Sequence, residues 1–176
     1  MEKTKKNKPY MMYMKQSLFA VRPQYQVYRD GMNAVYTIEG DVTRHRFSVR
    51  QGENEVLVLH RKVAKLFAEY TIEKDGQEIA HIKKGLFRSL SGNVYGKSLE
   101  IRVAYESYNF DILVDGHKLC RIEQENASFH DRYEIMIFDS TSEEVAVALA
   151  VICDHVSDKA DSTSCLLYTS PSPRDS

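Results

Sequence analysis

No tryptophan occurs among the 176 residues of this chain, and there are only four prolines. Cysteine is also sparse. Cys120, Cys153 and Cys165 are odd in number and widely spaced, which excludes a disulfide framework or a CxxC metal site and fits a reducing compartment. No apolar run approaches the ~20 residues that cross a bilayer as a helix. Neither sign of charge dominates, because 24 Lys and Arg face 25 Asp and Glu for a formal net charge of -1. A general nucleic-acid binder carries a net basic field, so that class is set aside. What remains is a chain with 43% hydrophobic residues, enough for a real core, and a length that suits one domain.

One phrase repeats along it. An aromatic residue is followed two places later by a β-branched one and then by a glycine turn: Tyr70, Ile72 and Asp75-Gly76; Phe110, Ile112 and Asp115-Gly116; Phe47, Val49 and Gly52-Glu53; and, more weakly, Tyr25, Val27 and Asp30-Gly31. Aromatic and branched residues two apart share one face of a strand. Asp-Gly supplies the two positive φ angles of a type I′ hairpin, and Gly-Glu suits type II′. Symmetric pairing about a two-residue loop predicts Ile72 opposite Ile79, Ile112 opposite Leu119 and Val49 opposite Val56. The same register sets Glu73 against Glu78, a mildly unfavourable like-charge pair.

About eleven strands are predicted, starting with Tyr10 to Val21 and ending with Arg132 to Phe138, with a Gly- and Ser-rich loop over Leu86 to Lys97. The pattern then changes. Asp139, Ser140, Thr141 and Ser142 are capping residues, and Glu143 and Glu144 favour the positive end of a helix dipole. A helix from Ser142 to Val156 follows, apolar on every side from Val145 to Cys153 and therefore surrounded by protein. The alternative is a final buried strand, since four of those residues are β-branched. Length favours the helix, which at about 22 Å matches a seven-residue strand of about 23 Å. Residues 1–9 are expected to be a basic disordered arm, cytoplasmic because Met-Met-Tyr-Met-Lys-Gln breaks any signal-peptide core. Residues 10–157 form the domain. Residues 158–176 are expected to be a disordered tail, and its end resembles read-through into sequencing-adapter sequence rather than native protein.

Catalytic and metal motifs do not emerge. No HExxH, GxSxG or metal-spaced histidine pair is present, and Cys120 and Cys153 lie in apolar stretches where thiols are inert. His130-Asp131 and Asp154-His155 are the only acid–base neighbours of note. Gly92 to Ser98 contains Gly96-Lys97-Ser98, but the spacing is one residue short of a phosphate-binding loop and a strand follows where a helix is required. Two connectors combine basic and apolar residues: Arg61, Lys62, Lys65 and Phe67 in one, Lys83, Lys84, Phe87 and Arg88 in the other. Both should emerge at the same end of the sheet. Cationic heads beside phenylalanine suit an anionic lipid surface. The competing reading makes Phe67 and Phe87 core plugs and the lysines ordinary solvated strand ends.

The hairpins with Asp-Gly turns, the phrase Tyr70-Thr71-Ile72-Glu73-Lys74-Asp75-Gly76 and the apolar helix after Tyr133-Glu134-Ile135 together resemble the LURP-one-related family. The resemblance covers roughly Met11 to Val156. It implies a tubby-like fold shared with phospholipid scramblases: a mainly β, closed antiparallel barrel of about twelve strands around a buried hydrophobic C-terminal helix. It brings no catalytic motif and no cofactor. The expectation is a monomeric, non-enzymatic cytoplasmic module that binds anionic phospholipid at the membrane surface. A protein-interaction scaffold, or a carrier or enzyme with a small site inside the barrel, are the alternatives.

Overall fold

The computed structural model describes residues 8–17, 20–64, 67–85, 89–104, 109–124 and 132–168, with residues 63–64 and 158–168 described for backbone only. Twelve antiparallel strands close into a barrel: β1 Tyr10–Gln16, β2 Gln24–Tyr28, β3 Ala34–Gly40, β4 Arg46–Gln51, β5 Asn54–Ala64, β6 Phe67–Lys74, β7 Gln77–Lys84, β8 Leu90–Val94, β9 Lys97–Ala104, β10 Asn109–Val114, β11 His117–Gln124 and β12 Arg132–Ile137. Each strand pairs with its neighbours in sequence, and β1 pairs with β12, from Tyr10 opposite Ile137 to Lys15 opposite Arg132. Closure leaves no free sheet edge.

The predicted hairpin register holds at the turns and fails one step beyond them. Glu73 does face Glu78, but Ile72 pairs with Ala80 rather than Ile79, Ile112 with Cys120 rather than Leu119, and Val49 with Leu57 rather than Val56. A bulge in each hairpin inserts one residue. The reason is the two-residue period of a strand. Without the bulges His81, Arg121 and His60 would point into the core; with them Ala80 and Ile82, Cys120 and Ile122, and Leu57 and Leu59 do so, and all six are buried. Each member of the Glu73–Glu78 pair has a histidine beside it, with His60 Nε2 3.3 Å from Glu73 and His81 Nδ1 3.9 Å from Glu78. The turns themselves are as expected: Asp75-Gly76 and Asp115-Gly116 both have positive φ, and in Gly52-Glu53 only the glycine does.

The loop predicted over Leu86 to Lys97 contains the extra strand β8 and a fourth tight turn, Tyr95-Gly96, also with two positive φ angles. Gly92 lies opposite Ile82, and a Cβ added there would meet the His81 carbonyl oxygen at 1.8 Å. Glycine thus marks a close backbone approach within a strand, not a loop. β1 is shorter than predicted, ending at Gln16 instead of Val21.

Asp139 caps a short 3-10 turn, Ser140–Ser142, its carboxylate accepting from the Thr141 amide, and α1 runs from Glu143 to Tyr168. The helix therefore continues past the expected end at Val156; residues 169–176 and 1–7 lie outside the described residues. Val145 to Val156 fill the barrel, none more than marginally exposed apart from His155 at 8%. Ala146, Ala148 and Ala150 keep the helix slim enough to fit, and each larger apolar side chain contributes about 1.5–3 kcal/mol on burial. Among the described residues no helix is long and apolar enough to cross a membrane.

Candidate functional site

The helix runs the length of the barrel, and the two ends differ chemically. At its N-terminal end Glu143 is buried at 8% exposure and held by β1, β3 and the residue that follows β2. Arg29 donates to both its oxygens at 3.0 and 2.8 Å, Tyr36 donates to Oε1 at 2.8 Å, and Tyr10 donates to Oε2. Lys74 pairs with Glu144 at 2.8 Å. These groups line a cleft of about 560 Å³ in which each cation already has its carboxylate. Burial, then the bond to Glu143, drives the Tyr10 and Tyr36 hydroxyls well above their ordinary range. The arrangement is a latch between helix and barrel.

Polar groups also lie inside. Asp154, fully buried, accepts from Tyr25 and from Tyr133, each at 2.6 Å. Its neighbour His155 packs instead between Phe47 and Tyr70, with ring centroids 4.9 and 6.2 Å away. The carboxylate of Asp154 is thus engaged by two tyrosines, while the His155 ring lies against two aromatic side chains. His130-Asp131 lies outside the described residues. Cys120 and Cys153 are fully buried free thiols, their pKa values raised by desolvation. Among the described residues no cluster of His, Cys, Asp and Glu could hold a metal ion.

The opposite end, where α1 leaves the barrel, carries the basic connectors. Lys65, Phe87 and Arg88 lie outside the described residues. Glu69 on β6 is flanked by Lys62 on β5 and Lys83 on β7, all in one cross-strand row, and Lys83 lies 3.8 Å from it. Both lysines are exposed, Lys84 is half-buried, and Phe67 is 44% exposed at the start of β6. Phe67 is thus no core plug. Arg61 differs from its neighbours. Strand alternation turns it toward the barrel mouth beside Tyr70, whose hydroxyl burial pushes up to about 12 against the opposing pull of the Arg61 charge. Among the described residues neither Arg61 Nε nor the Tyr70 hydroxyl has a hydrogen-bond partner.

Folding brings further cations to this end that no local motif announces. The Arg61 amide donates to the His45 carbonyl at 2.7 Å, which sets the exposed Arg44 and His45 of the β3–β4 turn against the end of β5. Lys15 and Arg132, opposite one another on β1 and β12, add two more exposed charges. The Asp41 carboxylate in the same turn is occupied by the Thr43 hydroxyl at 2.7 Å and the His45 amide at 2.8 Å.

A closed barrel of hairpins threaded by an apolar helix is the architecture on which the sequence can be compared. The sequence pattern of the family described as LURP-one-related matches residues 11–154, nearly the whole barrel and the buried part of α1. The chain belongs to the LURP-one-related family. Among curated proteins none matches. For this LURP-one-related chain the family match ends at Asp154, the residue that ties the helix to Tyr25 and Tyr133.

Proposed function

We propose that this LURP-one-related chain is a non-enzymatic module that docks on anionic phospholipid through the basic end of its barrel. The observation that carries the reading is the row Lys62–Glu69–Lys83, in which one carboxylate faces two exposed lysines beside an exposed Phe67, with Arg44, His45 and Lys84 close by. Each basic residue near an anionic surface contributes about 1 kcal/mol. An aromatic side chain at the same rim adds apolar area that water would otherwise have to solvate. The sides of the barrel favour attachment at the surface over insertion: ion pairs such as Glu100–Arg102 and Asp111–Arg121 sit mid-strand on the outer face, where a lipid-facing barrel would be apolar. The non-enzymatic part of the reading draws on α1, whose buried side chains fill the barrel interior.

Flotation with phosphatidylserine-containing vesicles tests the proposal, using phosphatidylcholine vesicles as control. The wild-type chain is expected to float with the anionic vesicles and to be released by salt, as screening requires. Changing Lys62, Lys65, Lys83 and Lys84 to glutamate should weaken binding by more than about a hundredfold, given about 1 kcal/mol lost for each charge removed. A wild-type chain that ignores anionic vesicles at low salt would dismiss the proposal. Repeating the assay without residues 1–9 separates the rim from the basic arm.

A further inference from the structure

A second groove lies at the opposite, helix-N-terminal end of the barrel, between the β8–β9 hairpin, the β10–β11 hairpin and the turn before α1. Its volume is about 730 Å³, within the about 300–1,000 Å³ of small-molecule sites. Val94, Val114 and Leu119 contribute apolar surface, while Lys97 and Lys118 contribute ammonium groups. Neither lysine has an ion-pair partner among the described residues, although Lys118 Nζ lies 5.8 Å from the Phe138 ring centroid. The carboxylates of the lining are tied to turns: Asp115 accepts from the Ser98 amide at 2.9 Å, and Asp139 accepts from the Thr141 amide at 3.0 Å.

Tyr95 makes this groove unusual. It occupies the first position of a type I′ turn with φ of 48°, where the other two such turns have Asp75 and Asp115. A bulky aromatic residue in the left-handed region is strained, because its Cβ crowds the backbone where Asp or Asn can compensate with a local hydrogen bond. Burial does not repay that strain, since Tyr95 is 56% exposed. Strain held without a packing reward points to a role for the side chain itself. Here the ring forms one wall of the groove, next to Lys97.

We propose that the groove binds a nucleoside phosphate, with the base stacked on Tyr95 and the phosphate held by Lys97 and Lys118. A π-face is matched by an aromatic wall, a compact anion by the ammonium groups of Lys97 and Lys118, and ribose hydroxyls by carboxylate oxygens of Asp115 and Asp139. This is not the phosphate-loop chemistry that Gly96-Lys97-Ser98 superficially suggests, because those residues form a hairpin and the start of β9. The site is independent of the lipid reading and faces away from the basic rim.

Titration of the full chain with adenosine monophosphate, followed by amide NMR, tests it. Shifts are expected at Val94 to Ser98 and His117 to Leu119, with adenosine or inorganic phosphate alone binding at least about tenfold more weakly, because each supplies only half of the contact. Tyr95→Asp restores the sequence of the other turns, so it should raise Tm while weakening nucleotide binding about tenfold or more, the value of a lost base-stacking contact. Tyr95→Phe should bind like the wild type, and Lys97→Gln should bind weakly with Tm unchanged. Absence of shifts at millimolar nucleotide, shifts confined to Arg61 and Lys62, or undiminished binding by Tyr95→Asp would each overturn the proposal.

Discussion

Tyr133 donates its hydroxyl to Asp154 Oδ1 over 2.6 Å, joining the last strand to the helix inside the barrel. With the matching bond from Tyr25 on β2, both oxygens of one buried side chain hold strands on either side of the β1 closure. Tyr133→Phe is expected to cost about 2 kcal/mol, the worth of a buried bond to a carboxyl group. Asp154→Ala should cost more, about 1–3 kcal/mol for each hydroxyl it strands. Denaturant unfolding of the two single variants and the double variant checks this. The second substitution should add little to the first if the bond is what is lost; strict additivity would disprove the coupling.

Ala148 is fully buried at the middle of α1. Ala148→Asp sets a charge in the barrel interior with no partner provided for it, at a cost beyond the stability of an ordinary domain. Soluble folded protein should disappear. An unaltered melting temperature would contradict the enclosed position of the helix.

Gly92→Ala and Gly76→Ala separate two reasons for glycine. The first drives a Cβ to 1.8 Å from the His81 carbonyl oxygen, so β7 and β8 must part, at about 2–3 kcal/mol or more. Gly76 has open space around it and only a φ of 76° to satisfy, so its substitution should cost about 1–2 kcal/mol. Thermal unfolding of the pair would expose an error if the order were reversed.

Stability should fall at both extremes of pH. Asp41, Glu55 and Asp111 are held below their ordinary values of 3.8, 4.5 and 3.8, first by hydrogen bonds from Thr43, Ser48 and Arg121 respectively. Their contribution is present above those ordinary values and is lost as pH falls through the lowered folded ones. Tyr70, pushed from 10.0 to about 12 by burial, acts at the other limit: its contribution is complete below 10.0 and is lost as pH rises toward 12. Urea midpoints measured across pH should show both slopes. Arg121→Gln should make the acid slope shallower, and an unchanged slope would remove Asp111 from the account.

Much of the barrel can be read locally, and the misreadings have a common cause. Asp75-Gly76 and Asp115-Gly116 announce their turns because only a few residues accept positive φ. The bulges were also legible in principle, since unbulged pairing would bury His60, His81 and Arg121. Strand β8 was hidden because Gly92 serves a close approach to His81, and Tyr95 stands where turn chemistry favours Asp. Of the rim, Lys62 and Lys83 come from single connectors and could be proposed directly. Arg44 and His45 could not, because a hydrogen bond between Arg61 and His45 brings them there.

Alternation, turn residues and an all-round apolar segment thus determined by themselves that this chain forms hairpins and encloses a helix, because each is a short-range consequence of side-chain shape and backbone freedom. Tertiary structure alone decided which distant groups meet: Glu143 with Arg29, Asp154 with Tyr25 and Tyr133, Lys97 with Lys118 across one groove. Closure of the sheet and the depth to which the helix is threaded set those encounters, and neither quantity is carried by any single stretch of sequence.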